Sequence, residues 1–194
     1  MRDPEASEPF TLNEGEELDR VLQACEEDPA EWLAGASKFL AYSGAHISVL
    51  SGGYRQELVR PEGSPAYIEW VYSPPIRGDA VRGDFIYWNR PKNEKPIGMP
   101  LSRHLRGWLP EYLDMPRPTH RTRYNQVLNR VGSSLHLQVN PLRFRHSCAV
   151  RLYHVMGLDA QTVERLLGVT AQTLATYVMK PKWMVQKELA SKGW

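Results

Sequence analysis

The segment LRFRHSCAVRLYHVMGLDAQTVERLLGVTAQTLATYV, residues 142–178, carries the strongest structural signal in this chain of 194 residues. Gly157 and Gly168 divide it, and glycine is the usual residue where a helix ends in a left-handed conformation. Asp159 and Thr170 precede the two later parts, and their side chains are of the kind that cap helix N-termini. We therefore predict three short helices joined by tight turns.

Each of these helices has apolar residues spaced to face a core. The first begins near Arg143, the second has its apolar face at Val163, Leu166 and Leu167, and the third ends at Tyr177. In the first helix the apolar positions are Cys148, Val150, Leu152, Val155 and Met156. The pattern predicts one helical unit with the basic residues 143–146 near its start and Tyr177 near its end.

The charges of the chain are distributed unevenly. Residues 1–31 contain 11 acidic and 2 basic side chains, net −9, whereas residues 32–194 contain 22 basic and 11 acidic side chains, net +11. Arginines concentrate between Arg103 and Arg151, and a guanidinium group pairs bidentately with phosphate. We interpret this pattern as favouring nucleic acid as a partner, with ordinary solvated faces as the alternative. Residues 1–10 are predicted to be a flexible acidic lead, and the acidic start either is disordered or folds back over the basic surface.

The composition excludes several classes of protein. No apolar run approaches the ~18 residues of a membrane span, and no signal peptide precedes the first helix. Cys25 and Cys148 are too few for a disulfide or metal framework, and we expect Cys148 to be a buried free thiol. Neither His46 nor His154 has metal-ligand spacing. We expect a cytoplasmic, nucleoid-associated protein that needs no metal or other cofactor and has no membrane partner.

The other predicted elements are mainly helical. A capping box at Thr11 and Glu14 starts a helix that reaches about Glu27. A second helix begins at Asp28-Pro29 and continues through Leu40. Strands are predicted at 66–73, 84–88 and 95–100, and helices at about 102–113, 121–134 and 183–189. The predicted fold class is therefore mainly α with a small three-stranded antiparallel β-sheet.

Several separated motifs resemble the catalytic domain of the tyrosine recombinase, or phage integrase, family. Residues 145–147 (Arg-His-Ser), 166–168 (Leu-Leu-Gly) and Tyr177 follow that family's order, in which the tyrosine is the nucleophile. Residues 42–50 (YSGAHISVL) resemble the family's Tyr-Thr-Gly-x-Arg-x-Ser-Glu-Leu segment. The hairpin that ends at 100–101 (Pro-Leu) resembles the one that carries the family's catalytic lysine.

The resemblance covers about residues 11–178 and implies a domain organisation. It implies a tyrosine-recombinase-like catalytic domain at 11–180 and a C-terminal helical tail at 181–194. This tail either passes to a neighbouring copy on DNA or packs back in cis. The family's N-terminal DNA-clamping domain is not found, so we expect either a catalytic-domain fragment or a stand-alone form. Double-stranded DNA is the implied partner, with a 3′-phosphotyrosyl intermediate and no cofactor.

The resemblance assigns roles to four residues. Tyr177 is the nucleophile, Arg145 the second catalytic arginine and Lys92 the general acid, while His46 stands where the family has its first arginine. Two further family positions, both histidines, are altered, and they fall on Leu142 and Val169. The further candidates for DNA contact are Arg143, His146, Arg90, Lys95, Arg121 and Arg123.

Each of these roles has a plainer alternative. Tyr177 could be a packing tyrosine, Arg145 a group that only grips phosphate, Lys92 a solvated turn lysine and His146 a packed histidine. The Trp and Tyr residues between 68 and 88 are interpreted as packing on a sheet face, with stacking on bases as the alternative.

Three functional hypotheses follow from the sequence. The first is a DNA recombinase of a mobile element with impaired chemistry, which predicts a covalent DNA adduct at Tyr177. The second is a catalytically dead relative that binds DNA as a regulator or accessory factor, and it predicts binding that survives Tyr177→Phe. The third is a helical interaction module with no salt-dependent affinity for DNA. Residues 162–177 also resemble a helix-turn-helix with Thr173 and Thr176 on its second helix, a less specific match.

Overall fold

The computed structural model describes residues 11–12, 16–89 and 96–193. Within these ranges the α-helices are α1 Glu17–Glu26, α2 Trp32–Ser43, α3 Ser48–Ser51, α4 Leu109–Asp114, α5 Arg121–Ser134, α6 Pro141–Val150, α7 Ala160–Leu167, α8 Ala171–Tyr177 and α9 Lys182–Ser191. The strands are β1 Gly53–Val59, β2 Tyr67–Ser73, β3 Val81–Arg82, β4 Phe85–Asn89 and β5 Pro96–Pro100. A 3-10 turn at Gly78–Ala80 precedes β3, and a π-helical turn at Arg151–Val155 continues α6.

The described strands form two separate antiparallel sheets. β1 and β2 make a two-stranded sheet, and β3, β4 and β5 make a three-stranded sheet in that order. The predicted fold class, mainly α with a small three-stranded antiparallel sheet, is confirmed. The strand predicted at 66–73 was expected in that sheet, which is wrong, because it pairs with β1. β1 was not predicted, and the third place in the sheet is taken by the two-residue β3.

The three-stranded sheet covers one side of the helical core. Side chains alternate along its strands, so Ile86 and Trp88 of β4 and Ile97 and Met99 of β5 are buried. Trp88 meets Phe39 of α2 edge-on, with the ring centroids 6.3 Å apart. The sheet therefore seals the core that the helices build.

The middle of the core is α6, which packs against α2, α5 and α8. Every residue from 144 to 150 is buried. A helix that is buried all round lies inside the domain rather than on its surface. Polar side chains on α6 are therefore enclosed, and their hydrogen bonds must be made within the protein.

The caps and ends of the C-terminal helices agree with the sequence prediction. The Asp159 carboxylate accepts a hydrogen bond from the Thr162 amide at 2.9 Å, and the Thr170 hydroxyl accepts one from the Thr173 amide at 3.3 Å. Gly168 ends α7 with φ +67°. The predicted caps and the glycine stop are confirmed. The predicted bounds of α5, 121–134, are also observed.

Two helix predictions need correction. The helix predicted at 102–113 forms only as α4, because Gly107 has φ +86° and the residues before it form turns. Val155 and Met156 were expected on the buried face, but each is 59% exposed. The π-helical turn accounts for this, since the Met156 amide donates to the Arg151 carbonyl five residues back and the apolar stripe loses its register.

The start of the described chain lies against α6. Glu14 of the predicted capping box lies outside the described residues, and α1 begins at Glu17. Leu12 is buried, and its amide donates to the Ser147 hydroxyl at 2.7 Å. Cys148 is a buried free thiol, as predicted, and Cys25 is also buried and free.

The described residues contain neither a candidate membrane span nor a candidate metal site. No helix in the described ranges is long and apolar enough to cross a membrane. Among the same residues, no group of three or more His, Cys, Asp and Glu side chains is placed to hold a metal ion.

Candidate functional site

Arg145 enters the site from the first turns of α6. The Asn140 side chain caps that helix by accepting a hydrogen bond from the Arg143 amide at 3.0 Å, and Pro141 follows as the first helical residue. Proline is favoured there because its ring fixes φ and the missing amide would have no helical partner. This start sets the rotation of α6 and so directs the Arg145 side chain.

The Arg145 guanidinium joins the ends of two helices. One terminal nitrogen, Nη1, donates to the Gly44 carbonyl at 2.7 Å, and Nη2 donates to the Leu167 carbonyl at 2.6 Å. Gly44 ends α2 and Leu167 ends α7, where helix carbonyls carry partial negative charge. Arg145 is only 7% exposed. Its charge therefore holds together the two segments that follow these helices.

His46 lies two residues beyond Gly44 and is exposed. Its Nδ1 accepts a hydrogen bond from the Ser48 amide at 3.2 Å and lies 2.8 Å from the Ser48 hydroxyl. Because Nδ1 accepts, the neutral ring carries its proton on Nε2. These two contacts with Ser48 orient the imidazole of His46.

His46 and Arg145 line one groove of about 570 Å³. Arg121, the first residue of α5, lines the same groove, and so does Leu142 of α6. The structure thus brings together three of the residues predicted for the site and one of the altered positions. None of the described residues that line this groove is acidic, so it favours an anionic ligand.

Tyr177, the last residue of α8, packs beside this group. Its ring centroid lies 4.1 Å from that of His146, with the planes tilted by 39°. The Arg145 guanidinium carbon lies 6.0 Å from the Tyr177 ring centroid, at the outer limit of a cation–π contact. Tyr177 is half-buried. The predicted nucleophile therefore lies next to the predicted arginine.

The neighbour of both residues, His146, is an uncharged ring. Burial, and after it the positive charge of Arg145, together lower its pKa to about 4. Neither ring nitrogen has a hydrogen-bond partner among the described residues. This geometry agrees with the packed-histidine alternative and does not support the DNA contact predicted for His146.

The two other altered positions differ in their surroundings. Leu142 is 48% exposed on the groove, where the resemblance implies a histidine. Val169 follows Gly168 and packs against the core. Neither side chain can donate a hydrogen bond to an anion.

Other predicted contact residues lie elsewhere. The Arg143 guanidinium donates to the Thr11 carbonyl at 2.9 Å and to the Gln138 carbonyl at 2.5 Å, on the side of α1. Arg123 lines a separate cleft with Trp32. The geometry therefore does not group these two arginines with Arg145. Arg90, Lys92 and Lys95 lie outside the described residues, and their roles stay predictions.

Three asparagines of the groove were not identified from the sequence. Asn125 and Asn129 line it together with Arg121. These residues are spaced four apart on α5, so they share one helix face. Asn140 lines the groove from the start of α6. The spacing was visible in the sequence, but asparagine carries no charge to draw attention to it.

Comparison with known proteins places the fold. No family model matches this chain, and no curated protein matches it. The crystal structure of XerA recombinase matches over 99% of this chain and 66% of that chain, with TM-score 0.68 and 15% identity. XerH site-specific recombinase bound to its difH substrate matches over 95% of this chain and 53% of that chain, with TM-score 0.60 and 17% identity.

The Tn1549 transposon integrase in complex with transposon right end DNA matches over 100% of this chain and 69% of that chain, with TM-score 0.53 and 13% identity. The described residues therefore have the fold of the tyrosine recombinase catalytic domain, as the sequence motifs implied. This chain spans about two thirds of the length of XerA and about half of the length of XerH.

Proposed function

We propose that this protein binds double-stranded DNA through the groove formed by His46, Arg121 and Arg145. It acts in site-specific recombination or integration of a mobile element, with slow strand cleavage. The observation that carries the proposal is the gathering of these three residues on one groove without acids, next to Tyr177. The solved structures with this fold include recombinases bound to DNA.

The reaction is a transesterification. The Tyr177 hydroxyl passes its proton to water, and its oxygen attacks a phosphodiester. The new 3′-phosphotyrosyl bond replaces the bond to the 5′-oxygen, which leaves as a hydroxyl group. Arg145 and the Nε2–H of His46 stabilise charge on the non-bridging oxygens. Lys92, as the resemblance implies, protonates the leaving oxygen. Atoms and charges balance without a cofactor.

Slow cleavage follows from the altered positions. Loss of one preorganised donor to a charged transition state typically costs about 10²–10³ in rate. Leu142 and Val169 supply no donor, and a neutral imidazole at His46 is weaker than a guanidinium. Binding depends less on these positions, because phosphate contacts are spread over the surface.

A covalent-trapping assay tests the chemistry. We expect suicide duplexes taken from the gene's own neighbourhood to give a faint protein–DNA adduct on a denaturing gel. Tyr177→Phe should abolish this adduct. Leu142→His restores a donor on an exposed position of the groove and should strengthen the adduct by up to about 10²-fold. Leu142→Phe, which adds no donor, is the matched control.

A salt titration tests the binding. Mobility-shift affinity for duplex DNA should fall linearly with salt on logarithmic axes, and Arg121→Gln should reduce the slope by about 1. Arg123→Gln, on a separate cleft of the same helix, is the matched control and should change the slope less. Affinity that does not depend on salt contradicts the proposal and favours the helical interaction module.

The second candidate is a DNA-binding regulator without cleavage activity. The commitment of two Arg145 nitrogens to carbonyls and the apolar Leu142 in the groove favour it. It predicts that no variant forms an adduct, whereas duplex binding persists in Tyr177→Phe.

The C-terminal tail is a candidate for self-association. None of the residues of α9 is fully buried, and Val185 and Leu189 lie exposed one turn apart. We propose that α9 docks on a neighbouring copy when the protein is assembled on DNA. Light scattering with and without duplex, on wild type and on Val185→Ser, measures this directly. The same mass for both proteins on DNA would favour packing in cis.

A further inference from the structure

One face of the two-stranded sheet exposes large apolar side chains. β1 and β2 pair so that Tyr54 lies opposite Tyr72, Gln56 opposite Trp70 and Leu58 opposite Ile68. Directly paired residues of antiparallel strands project to the same side. We call this side the aromatic face; its apolar members are Tyr54, Leu58, Ile68, Trp70 and Tyr72, between 46% and 69% exposed.

This exposure contradicts the interpretation of Trp70 and Tyr72 as packing residues. Trp88, by contrast, is buried in the other sheet. Single exposed apolar side chains are ordinary, but a contiguous patch of large ones usually marks a binding site. A two-stranded sheet alone is only marginally stable, so covering this face also stabilises it.

The aromatic face forms one wall of a second groove of about 1000 Å³. Tyr54, Trp70 and Tyr72 of this face line the groove, and so do His46, His120 and Arg121. Within the described part of the chain, no acidic side chain lines it. The acid of β2, Glu69, alternates to the other face of the sheet.

The two grooves are neighbours that share two lining residues. Both are lined by His46 and Arg121, so whatever occupies the first groove can extend into the second. A ligand in the second groove must then contact aromatic rings as well as arginine and histidine side chains. Bases stack on aromatic rings and phosphates pair with arginine, which is the combination that single strands meet in their binding channels.

We infer that the second groove binds an unpaired segment of a DNA strand, with bases stacked on Trp70 and Tyr72 and phosphate held by Arg121. This inference rests on the proposed function, because it extends the duplex-binding groove. A stacked duplex offers no separate base faces to these rings, so the substrate must contain a single-stranded, bulged or melted stretch beside the duplex. The proposed function itself requires no such stretch.

A protein partner fits the groove less well. Protein interfaces are also enriched in Tyr, Trp and Arg, but this groove combines Arg121 and two histidines with no acid among the described residues that line it, so its occupant must carry negative charge. A nucleic acid strand carries both phosphates and planar bases, so it can contact the arginine and the aromatic rings together. A second copy of the chain on the aromatic face is the competing outcome in the experiment below.

The experiment compares full-length variants in fluorescence anisotropy titrations with a short labelled oligo(dT) strand and with a labelled duplex. We expect Trp70→Ala to weaken oligo(dT) binding by about 5- to 150-fold, the range for loss of one stacked aromatic ring. Duplex affinity should change less than twofold. Trp70→Phe keeps a ring and should recover most of the affinity.

Tyr67→Ala is the matched control. Tyr67 is exposed on the same hairpin, but alternation places it on the opposite face from Trp70. It should leave oligo(dT) binding unchanged. Arg121→Gln should reduce the salt slope for the single strand by about 0.7. Circular dichroism of each variant verifies that it is folded.

The outcomes separate the two proposals. Equal effects of Trp70→Ala and Tyr67→Ala, or no oligo(dT) binding by a wild type that binds duplex, overturn the inference and leave the proposed function standing. Binding to neither probe overturns the proposed function. If Trp70→Ala changes the molecular mass in light scattering but not oligo(dT) affinity, the face belongs to a contact between copies and the inference is wrong.

Discussion

Helix α6 and the β1–β2 sheet depart from ordinary burial in opposite directions. In α6, Arg145, His146 and Ser147 are buried polar residues, whereas in the sheet Trp70 and Tyr72 are large rings left exposed. A polar side chain is buried at acceptable cost when its hydrogen bonds are met, and the Arg145 contacts meet that condition. The exposed ring surfaces of Trp70 and Tyr72 are not covered by any of the described residues.

The comparison shows that clustered arginines in a sequence do not by themselves mark an exposed basic surface. Arg143, Arg145 and Arg151 lie on or just after α6, in the arginine-rich stretch that suggested a nucleic-acid surface. Each donates to backbone carbonyls of other segments, Arg151 to Ala41 at 2.6 Å. Their charge joins segments of the fold. Arg121 on α5 is exposed on the groove and remains the better candidate for phosphate.

The largest expected effect is the loss of stability in Arg145→Gln. The change removes two charge-assisted hydrogen bonds to the Gly44 and Leu167 carbonyls, each about 1.5–3 kcal/mol. We expect urea denaturation to show unfolding free energy lower by about 3–5 kcal/mol. Arg121→Gln, on an exposed arginine, should stay within about 0.5 kcal/mol of wild type. Similar values for the two variants would mean that the buried carbonyl contacts contribute little.

The next largest expected effect is the difference in stability between alanine substitutions at two glycines, Gly44 and Gly63. Gly44 has φ +60°, and a Cβ there would lie 2.5 Å from Leu167 Cδ2 and 3.0 Å from Cys148 Sγ. Gly44→Ala combines backbone strain with overpacking and should cost about 2–4 kcal/mol in thermal or urea unfolding. Gly63, in the loop between β1 and β2, has φ +74° with nothing within 4 Å of a Cβ. Gly63→Ala should cost about 1 kcal/mol, and equal costs would contradict the difference between the regions.

Because the pKa of His146 is lowered, we expect the protein to lose stability in acid. Its pKa is lowered from 6.5 to about 4, by burial first and by Arg145 second, so the folded state binds fewer protons than the unfolded state between these values. The stabilisation is therefore complete above pH 6.5 and is lost as pH falls toward 4. Between neutral pH and about pH 4.5 the loss is about 2 kcal/mol.

The measurement is the urea midpoint of wild type and His146→Phe across this pH range. Phenylalanine keeps the ring against Tyr177 but does not titrate. Other groups titrate equally in both proteins, so the difference between them isolates His146. The same slope in both would show that His146 does not supply the proton linkage.

The sequence predicted the parts of the structure that depend on local chemistry and helical period. The caps at Asp159 and Thr170, the stop at Gly168 and the bounds of α5 are local signals and were observed. The separated motifs also placed Arg145 and His46 near one another before any coordinates were considered. The resemblance carried that prediction, since spacing alone does not bring residues about 100 positions apart into one groove.

Other features depend on tertiary contacts that spacing does not encode. β1 was not predicted, because its alternation of Tyr54, Gln56 and Leu58 does not mark a buried face. The carbonyl partners of Arg145 lie 101 and 22 residues away, so its structural role was not visible. His146 was a candidate for DNA contact from the Arg-His-Ser motif, with a packed histidine as the alternative, and its ring lies against Tyr177.

The smallest predicted effect tests whether the β1–β2 sheet opens independently of the core. Tyr54 and Tyr72 form a cross-strand pair with ring centroids 5.2 Å apart. Such pairs contribute about 0.2–1 kcal/mol. Tyr72→Ala should therefore reduce hydrogen-exchange protection of β1 and β2 amides by at most about tenfold, while α6 amides keep the protection of global unfolding. If the variant instead lowers the urea midpoint and the protection of α6 together, the sheet unfolds with the core. The exposed rings would then be part of one cooperative unit with α6, and the contrast between the two regions would lie in their surfaces alone.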